Sequence, residues 1–366
     1  MENSPIKKLH FVDQLRGFAV LGVLLVHVGY WFPQARVSNS PLFNAIIESG
    51  ARGVQLFFIA SAFTIYLSYS IRKQKEENTV YNFFVRRFFR IAPLYYTSIL
   101  LYGYVFTYVR SGSPVSITNL FTSLAFINSL FPKYINDLVP GGWSISIEMI
   151  FYLFVPILHK KVNNLSKALL FLNATLILRF FINKMTIKFL GNYGADTVSN
   201  YLFFYLPNQL PLFALGIVLY FIYKGEKTIT IFSLLLVSFL FYLNLLIGNQ
   251  LIPHHIQFGI FFIFFAILLF RIPELKILNL ISYIGKVSFS MYLVHFAVLE
   301  CLKQFAAKYY PIPFSSEISI NCLYYILLYL ILISFSLIIS SITYAIIEKQ
   351  GIKLGNNFLS KIQLVS

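Results

Sequence analysis

Arg16 and His27 stand eleven residues apart in LRGFAVLGVLLVH, a run with no other ionisable side chain. On a helix advancing about 100° per residue, eleven steps make three turns plus about 20°, so both side chains share one face. At about 1.5 Å rise per residue they are about 16 Å apart along the axis. A guanidinium near one end of that face can bind an anion, and an imidazole further in can take up and return a proton. Ionisable groups deep in an apolar segment are expensive to keep and mark functional sites. The pair points to proton chemistry on a long, phosphate-bearing donor.

Three other stretches carry groups that could share that chemistry. In NFFVRRFFRIAPLYY, Arg87 and Arg90 are i,i+3, with Arg86 beside them. They read either as positive flanking of a span or as a cluster gripping phosphate through forked hydrogen bonds. The spacing places them on the first turns of a helix, where Pro93 is tolerated. In PGGWSISIEMIFYLFVP, Ser144, Glu148 and Tyr152 fall at i, i+4 and i+8 on one face. A carboxyl at that depth must be paired, hydrogen-bonded or protonated. Counted from opposite membrane faces, Glu148 and His27 have similar depth. Glu148 either orients His27 or the acceptor hydroxyl, or bonds a Ser or Tyr within the packing. In SYIGKVSFSMYLVHFAVLE, Ser288, Tyr292 and His295 share a face, and His295 either lines the same cavity or bonds within the bundle. Glu300 lies near the outer end, His254 and His255 follow Pro253 in a loop, and His10 and His159 flank spans. Cys301 and Cys322 are too few for a disulfide framework, and no Cys/His set has metal-ligand spacing, so no metal is expected.

The elements that must position these groups follow from composition. Of 366 residues 58% are hydrophobic and only 11% charged, and mean hydropathy is +0.74. A soluble surface needs far more charge. The net charge of +16 flanks apolar runs rather than forming a solvated patch, which argues against nucleic acid. The expectation is an all-α integral membrane protein of about ten helices in one bundle. The spans are placed at 14–33, 53–71, 91–109, 142–158, 167–183, 200–222, 229–247, 255–270, 284–304 and 320–347. Pro207 and Pro211 interrupt the sixth, and 117–131 reads as re-entrant or interfacial. With the N-terminus inside, twenty of the 29 Lys and Arg fall in inner loops, so both termini are expected to be cytoplasmic. The first span is too long, and lacks the cleavage site, for a removable signal peptide. Residues 1–366 read as a single membrane domain.

Taken together, the chain resembles the acyltransferase 3 family of bacterial membrane O-acyltransferases. The resemblance runs in order through FVDQLRGFAVLGVLLVH, RGVQLFFIASAFTIYLS, RRFFRIAPLYY, GGWSISIEMIFYLFVP and GKVSFSMYLVHF. Arg16 and His27 meet the family's arginine and histidine of the first helix, and Arg87 and Arg90 its arginine pair after the second span. The second-span motif departs from the family, with Gln55 in place of an acid and Ala62 in place of a glycine. The chain is expected to be the stand-alone type, without a fused extracytoplasmic hydrolase-like domain.

The resemblance implies transfer of an acyl group, usually acetyl, from cytoplasmic acyl-CoA to a sugar hydroxyl. The acceptor would be a surface polysaccharide or its lipid-linked precursor, and the setting the bacterial cytoplasmic membrane. On that reading Arg16, Arg87 and Arg90 hold the nucleotide phosphates. His27 then deprotonates the acceptor, or itself carries the acyl group. The rival class is a transporter or flippase of a lipid-linked glycan or acyl donor, since intramembrane His and Glu also build proton relays. A structural subunit of a glycan machine is a third reading. Oligomeric state is not legible.

Overall fold

The computed structural model describes residues 9–33, 40–109, 112–225, 239, 243, 251–271, 275, 276, 278–309 and 318–363. Among the described residues the chain is helical and contains no strand. It divides into two compact units, Met1–Ala60 with Phe261–Ile342, and Ser61–Ile260 with Thr343–Ser366.

The first unit is built on α1 (His10–Trp31). Its apolar sequence suits a bilayer, where an unbroken helix satisfies every backbone group internally. α2 (Pro41–Ser49) starts on a proline, whose missing N–H costs nothing there. It turns through a short 3₁₀ segment (Gly50–Arg52) into α3 (Gly53–Lys73). Later in the chain come α10 (His254–Arg271), α11 (Leu278–Lys286), α12 (Ser288–Tyr309) and α13 (Ile318–Thr343). Small residues let α1 meet its neighbours backbone to backbone. A methyl added at Gly285 would run into the Asp13 carbonyl, and one at Gly17 into Ile281. On another side of α1, Gly50 lies against Gly22 and Gly53 against the Ala19 carbonyl. From α13, Tyr325 donates to the Leu25 carbonyl and Tyr329 to that of Leu21 (2.9 Å). These bonds use the second lone pair of helical carbonyls and fix the C-terminal half of α1.

The second unit holds the rest of α3, then α4 (Thr79–Ile99), which continues as a π-helix over Leu100–Val109. After α5 (Ile117–Leu124) come α6 (Gly142–Lys161), α7 (Leu165–Phe189), α8 (Ala195–Phe204) and α9 (Leu206–Tyr223). A π turn (Tyr344–Glu348) and α14 (Lys349–Gln363) complete it. Pro93 is not in a first turn, as the sequence suggested, because α4 begins at Thr79. Arg87 and Arg90 are likewise well inside the helix. A proline there withdraws a ladder hydrogen bond from the carbonyl four residues back, that of Phe89. Gly351 of α14 packs directly over that carbonyl, where any side chain would clash. α7 carries Arg179, 7% exposed, which donates to Asn208 Oδ1 (2.6 Å) and the Leu251 carbonyl (2.9 Å). Phe151 of α6 stacks on Phe213 of α9 at 4.1 Å.

Among the described residues seven stretches are long and apolar enough to cross a bilayer: His10–Trp31, Pro41–Lys73, Gly142–Lys161, Leu165–Phe189, Ala195–Tyr223, His254–Arg271 and Ile320–Ile362. The pair α11 and α12, bent by 80° at the break, gives an eighth if counted as one span. The chain is thus a multi-pass membrane protein. Of the ten expected spans, 229–247 lies outside the described residues apart from positions 239 and 243. The 91–109 span is divided between α4 and the π-helix and is not among the seven. The interruption expected near Pro207 and Pro211 falls at Tyr205, where extended backbone (φ −78°, ψ 160°) separates α8 from α9. The span expected at 284–304 is broken at Val287, between α11 and α12.

Candidate active site

In the first unit, α1 is continuous from His10 to Trp31, so the Arg16–His27 spacing on one face holds. Both side chains retain some exposure. His27 meets a partner from α12: its Nδ1 lies 3.1 Å from Nε2 of His295, which is completely buried. The Phe296 ring covers the pair, at 4.7 Å from the His27 ring and 3.9 Å from that of His295. Tyr292 borders His295, and Phe57 of α3 backs Tyr292. Trp31 stands edge-on to His27, and its indole N–H faces Glu300 at 3.4 Å. Glu300 also accepts from Gln304 (3.1 Å), so it is built into this corner rather than simply solvated.

The tautomers of the two rings are coupled. If His27 is to receive a proton on Nε2, its own proton must sit on Nδ1 and be donated to His295 Nε2. His295 then carries its proton on Nδ1, on the side of the Met291 and Tyr292 carbonyls one turn back. That second contact lacks good hydrogen-bond geometry. The His27–His295 bond is therefore the better-formed constraint. Ser288 opens α12 beyond the bend and is buried there.

In the second unit, Ser144, Glu148 and Tyr152 lie on the continuous α6, and two of the three bond to each other. Tyr152 donates to Glu148 Oε1 (2.5 Å), while Ser144 instead bonds the Gly141 carbonyl (2.9 Å) at the start of α6. Ser61 of α3 also donates to Glu148 Oε1. Two hydroxyl donors on one oxygen make it a pure acceptor, so any carboxyl proton sits on Oε2. Next to Tyr152 lies Phe83, with ring centroids 5.9 Å apart, and the Arg87 guanidinium stands over Phe83 at 5.9 Å. The carboxyl and this arginine thus belong to one cluster. Arg87 lines a small cleft with Arg72 and Arg86. Two of these arginines are held by Glu76, which accepts from Arg86 (2.7 Å) and Arg72 (2.9 Å). Burial alone would raise the Glu76 carboxyl, but hydrogen bonds from Arg86, Arg72 and Asn82 outweigh it and hold it below its ordinary range. Arg90 points elsewhere, to the fully buried Glu348 at 3.6 Å.

Sequence reasoning missed Ser61, Glu76 and Glu348 as partners. Ser61 and Glu348 are remote in sequence from the groups they hold; Glu76 is i+4 from Arg72 but lies past the end of α3, and it is ten residues from Arg86. His255, read as a loop residue, is buried against the Asn208 carbonyl (3.1 Å). Among the described residues no group of three or more His, Cys, Asp or Glu is placed to hold a metal.

The family model described as an acyltransferase domain matches residues 9–345. The chain belongs to that family. Relatives of this acyltransferase-family protein include “Putative acetyltransferase ORF330” of Acidianus two-tailed virus, 28% identical over 80% of this chain and 83% of the viral protein. A “Putative O-acetyltransferase” of Staphylococcus aureus (strain COL) is 24% identical over 96% of this chain. The present chain spans 60% of that longer staphylococcal protein. “Acyltransferase MdmB” of Streptomyces mycarofaciens is 28% identical over 44% of this chain and 41% of its own length. No solved structure matches.

Proposed function

We propose that this acyltransferase moves an acyl group, acetyl in the first instance, from acyl-CoA to a sugar hydroxyl of a surface polysaccharide or its lipid-linked precursor. The setting is the bacterial cytoplasmic membrane, with both termini on the cytoplasmic side. The observation that carries the reading is the accessible imidazole of His27, held through Nδ1 by a buried histidine. In the tautomer that donates Nδ1–H to His295, Nε2 is the basic atom. A neutral base inside an apolar helix suits deprotonation of an alcohol, whose own pKa is far too high for it to ionise unaided.

In the reaction the acceptor oxygen attacks the thioester carbonyl while His27 Nε2 takes its proton. The C–S bond of the tetrahedral intermediate then breaks, the proton passes to the thiolate, and CoA leaves as the thiol. Arg16 and Arg87 supply charge-assisted hydrogen bonds to the donor's phosphates, whereas Arg90 is turned to Glu348 and is left out of that grip. Glu148 receives hydroxyl donors on one oxygen, a geometry that also fits orienting an acceptor hydroxyl through the other. The broken helices at Val287 and Tyr205 are a feature shared with transporters, so transport of a lipid-linked glycan is the competing reading.

Purified protein in nanodiscs, given radiolabelled acetyl-CoA and glycan acceptors, separates the two. His27→Ala is expected to reduce donor-dependent acetylation at least a hundredfold while membrane insertion is retained. Full acetylation by that variant removes His27 from the chemistry, and glycan movement without consumption of acetyl-CoA selects the transporter.

A further inference from the structure

The second unit contains an open cleft of about 670 Å³ that the chemistry above does not use. It lies between the segment preceding α6, with Lys133, Asn136 and Asp137, and Tyr193 before α8 together with Asn200 and Phe204 on α8. We propose that this cleft is the acceptor subsite and that it binds an uncharged pyranose ring. The proposal rests on the acyltransferase reading and adds to it where the sugar is held.

Two polar groups in the cleft are oriented before any ligand arrives. Asn136 accepts the Gly141 N–H on Oδ1 (2.9 Å), which leaves its NH₂ as a fixed donor. Asp137 accepts Asn119 Nδ2 on Oδ2 (2.6 Å), which anchors the carboxylate and leaves Oδ1 as a further acceptor. A donor and an acceptor on adjacent residues match the vicinal hydroxyls of a sugar, each of which both gives and takes a hydrogen bond. The rings of Tyr193 and Phe204 supply an apolar wall for the C–H face of a pyranose. Tyr193 is 46% exposed and ready for stacking, whereas Phe204 is steadied by Trp143 at 4.6 Å. Lys133 and Asp137 are of opposite charge, so the cleft favours a neutral polyol over a phosphate.

Position within the unit supports the same use. The cleft is at the N-terminal end of α6, shown by the Asn136–Gly141 bond and the Phe204–Trp143 contact. The opposite end of α6, about 30 Å away, carries His159, which sits against Tyr66 and Tyr69 of α3. Tyr69 and Arg72 line the arginine cleft. Sugar and nucleotide would therefore enter the unit from opposite ends of one helix. Glu148 lies six residues along α6 from Gly142, about 9 Å in from the cleft end.

The test is saturation-transfer NMR of the full chain in nanodiscs with methyl β-glucoside, methyl β-N-acetylglucosaminide and methyl α-rhamnoside at millimolar concentration. At least one glycoside is expected to bind. Tyr193→Ala and Asp137→Ala should each weaken it about tenfold, whereas Tyr193→Phe, which keeps the ring, should leave binding unchanged. Absence of binding by all three, equal binding by Tyr193→Ala and Asp137→Ala, or displacement by inorganic phosphate each overturns the proposal. His27-dependent consumption of acetyl-CoA is measured on the same preparations. If it persists while the cleft variants bind normally, the subsite is wrong and the acyltransferase reading stands. If it is missing while binding depends on the cleft, the reading fails and the sugar site survives.

Discussion

His295→Leu removes the partner of His27 with little change of volume, and its effect can be worked from the geometry. The bond spans 3.1 Å between two uncharged rings in the resting protein, a contact worth about 0.5–1.5 kcal/mol net. When His27 takes the acceptor's proton it becomes an imidazolium, and the same bond becomes charge-assisted, worth about 1.5–3 kcal/mol. The stronger interaction exists only once the proton has moved, so its loss falls on kcat. The difference between the two losses is about 1–1.5 kcal/mol, so at about 1.4 kcal/mol per factor of ten kcat should drop roughly five- to twelvefold. KM for acetyl-CoA should barely change, because the ground state loses only the weaker bond. His295→Gln is the decisive companion. Its side-chain carbonyl reaches about as far as Nε2 and can accept the Nδ1–H of His27, so it should recover much of the lost rate. Steady-state kinetics on nanodisc preparations give both parameters. Wild-type kcat in His295→Leu refutes the coupling, and equal loss in both variants with a raised KM reduces His295 to a packing residue.

Other expected outcomes follow from separate parts of the structure. Arg87→Ala should raise KM for acetyl-CoA about ten- to hundredfold with kcat largely kept, as loss of a phosphate contact requires; unchanged donor affinity measured by calorimetry refutes that role. The Glu76 carboxyl is held low by Arg86, Arg72 and Asn82, so it contributes stability that is fully present above its unfolded value of about 4.3 and is lost as pH falls through its folded one. Thermal unfolding followed across that acid range should therefore show a decline that Glu76→Gln flattens. Gly285→Val pushes a side chain into the Asp13 carbonyl of α1, and denaturant unfolding should show a loss of at least about 1–3 kcal/mol.

Much of the helical layout was legible in the sequence, because lipid forces apolar runs into continuous helices whose lengths follow bilayer thickness. The shared face of Arg16 and His27 was legible for the same reason, since local helical geometry alone fixes it. The pairing of Glu148 with Tyr152 followed from i,i+4 spacing. What could not be read was which distant residue answers each buried group. His295 is 268 residues from His27, and Ser61 is 87 from Glu148, and no periodicity links such positions. The break at Val287 was also hidden, because neither proline nor glycine occupies that position. Pro93 misled in the other direction. It reads as a helix start, yet α14 supplies a glycine at the carbonyl the proline releases, so the helix passes through it.

The seams on α1 bear on how proteins of this kind can diversify. Where backbone meets backbone at Gly17, Gly22 and Gly285, the helix has no slack to rotate or slide. The separation of its arginine and histidine is consequently a rigid gauge. A lineage drifting toward a bulkier acyl chain could not re-register this helix; it would have to trade ring volume at neighbours such as Phe296 and Tyr292, which can shrink or grow while the gauge stays fixed.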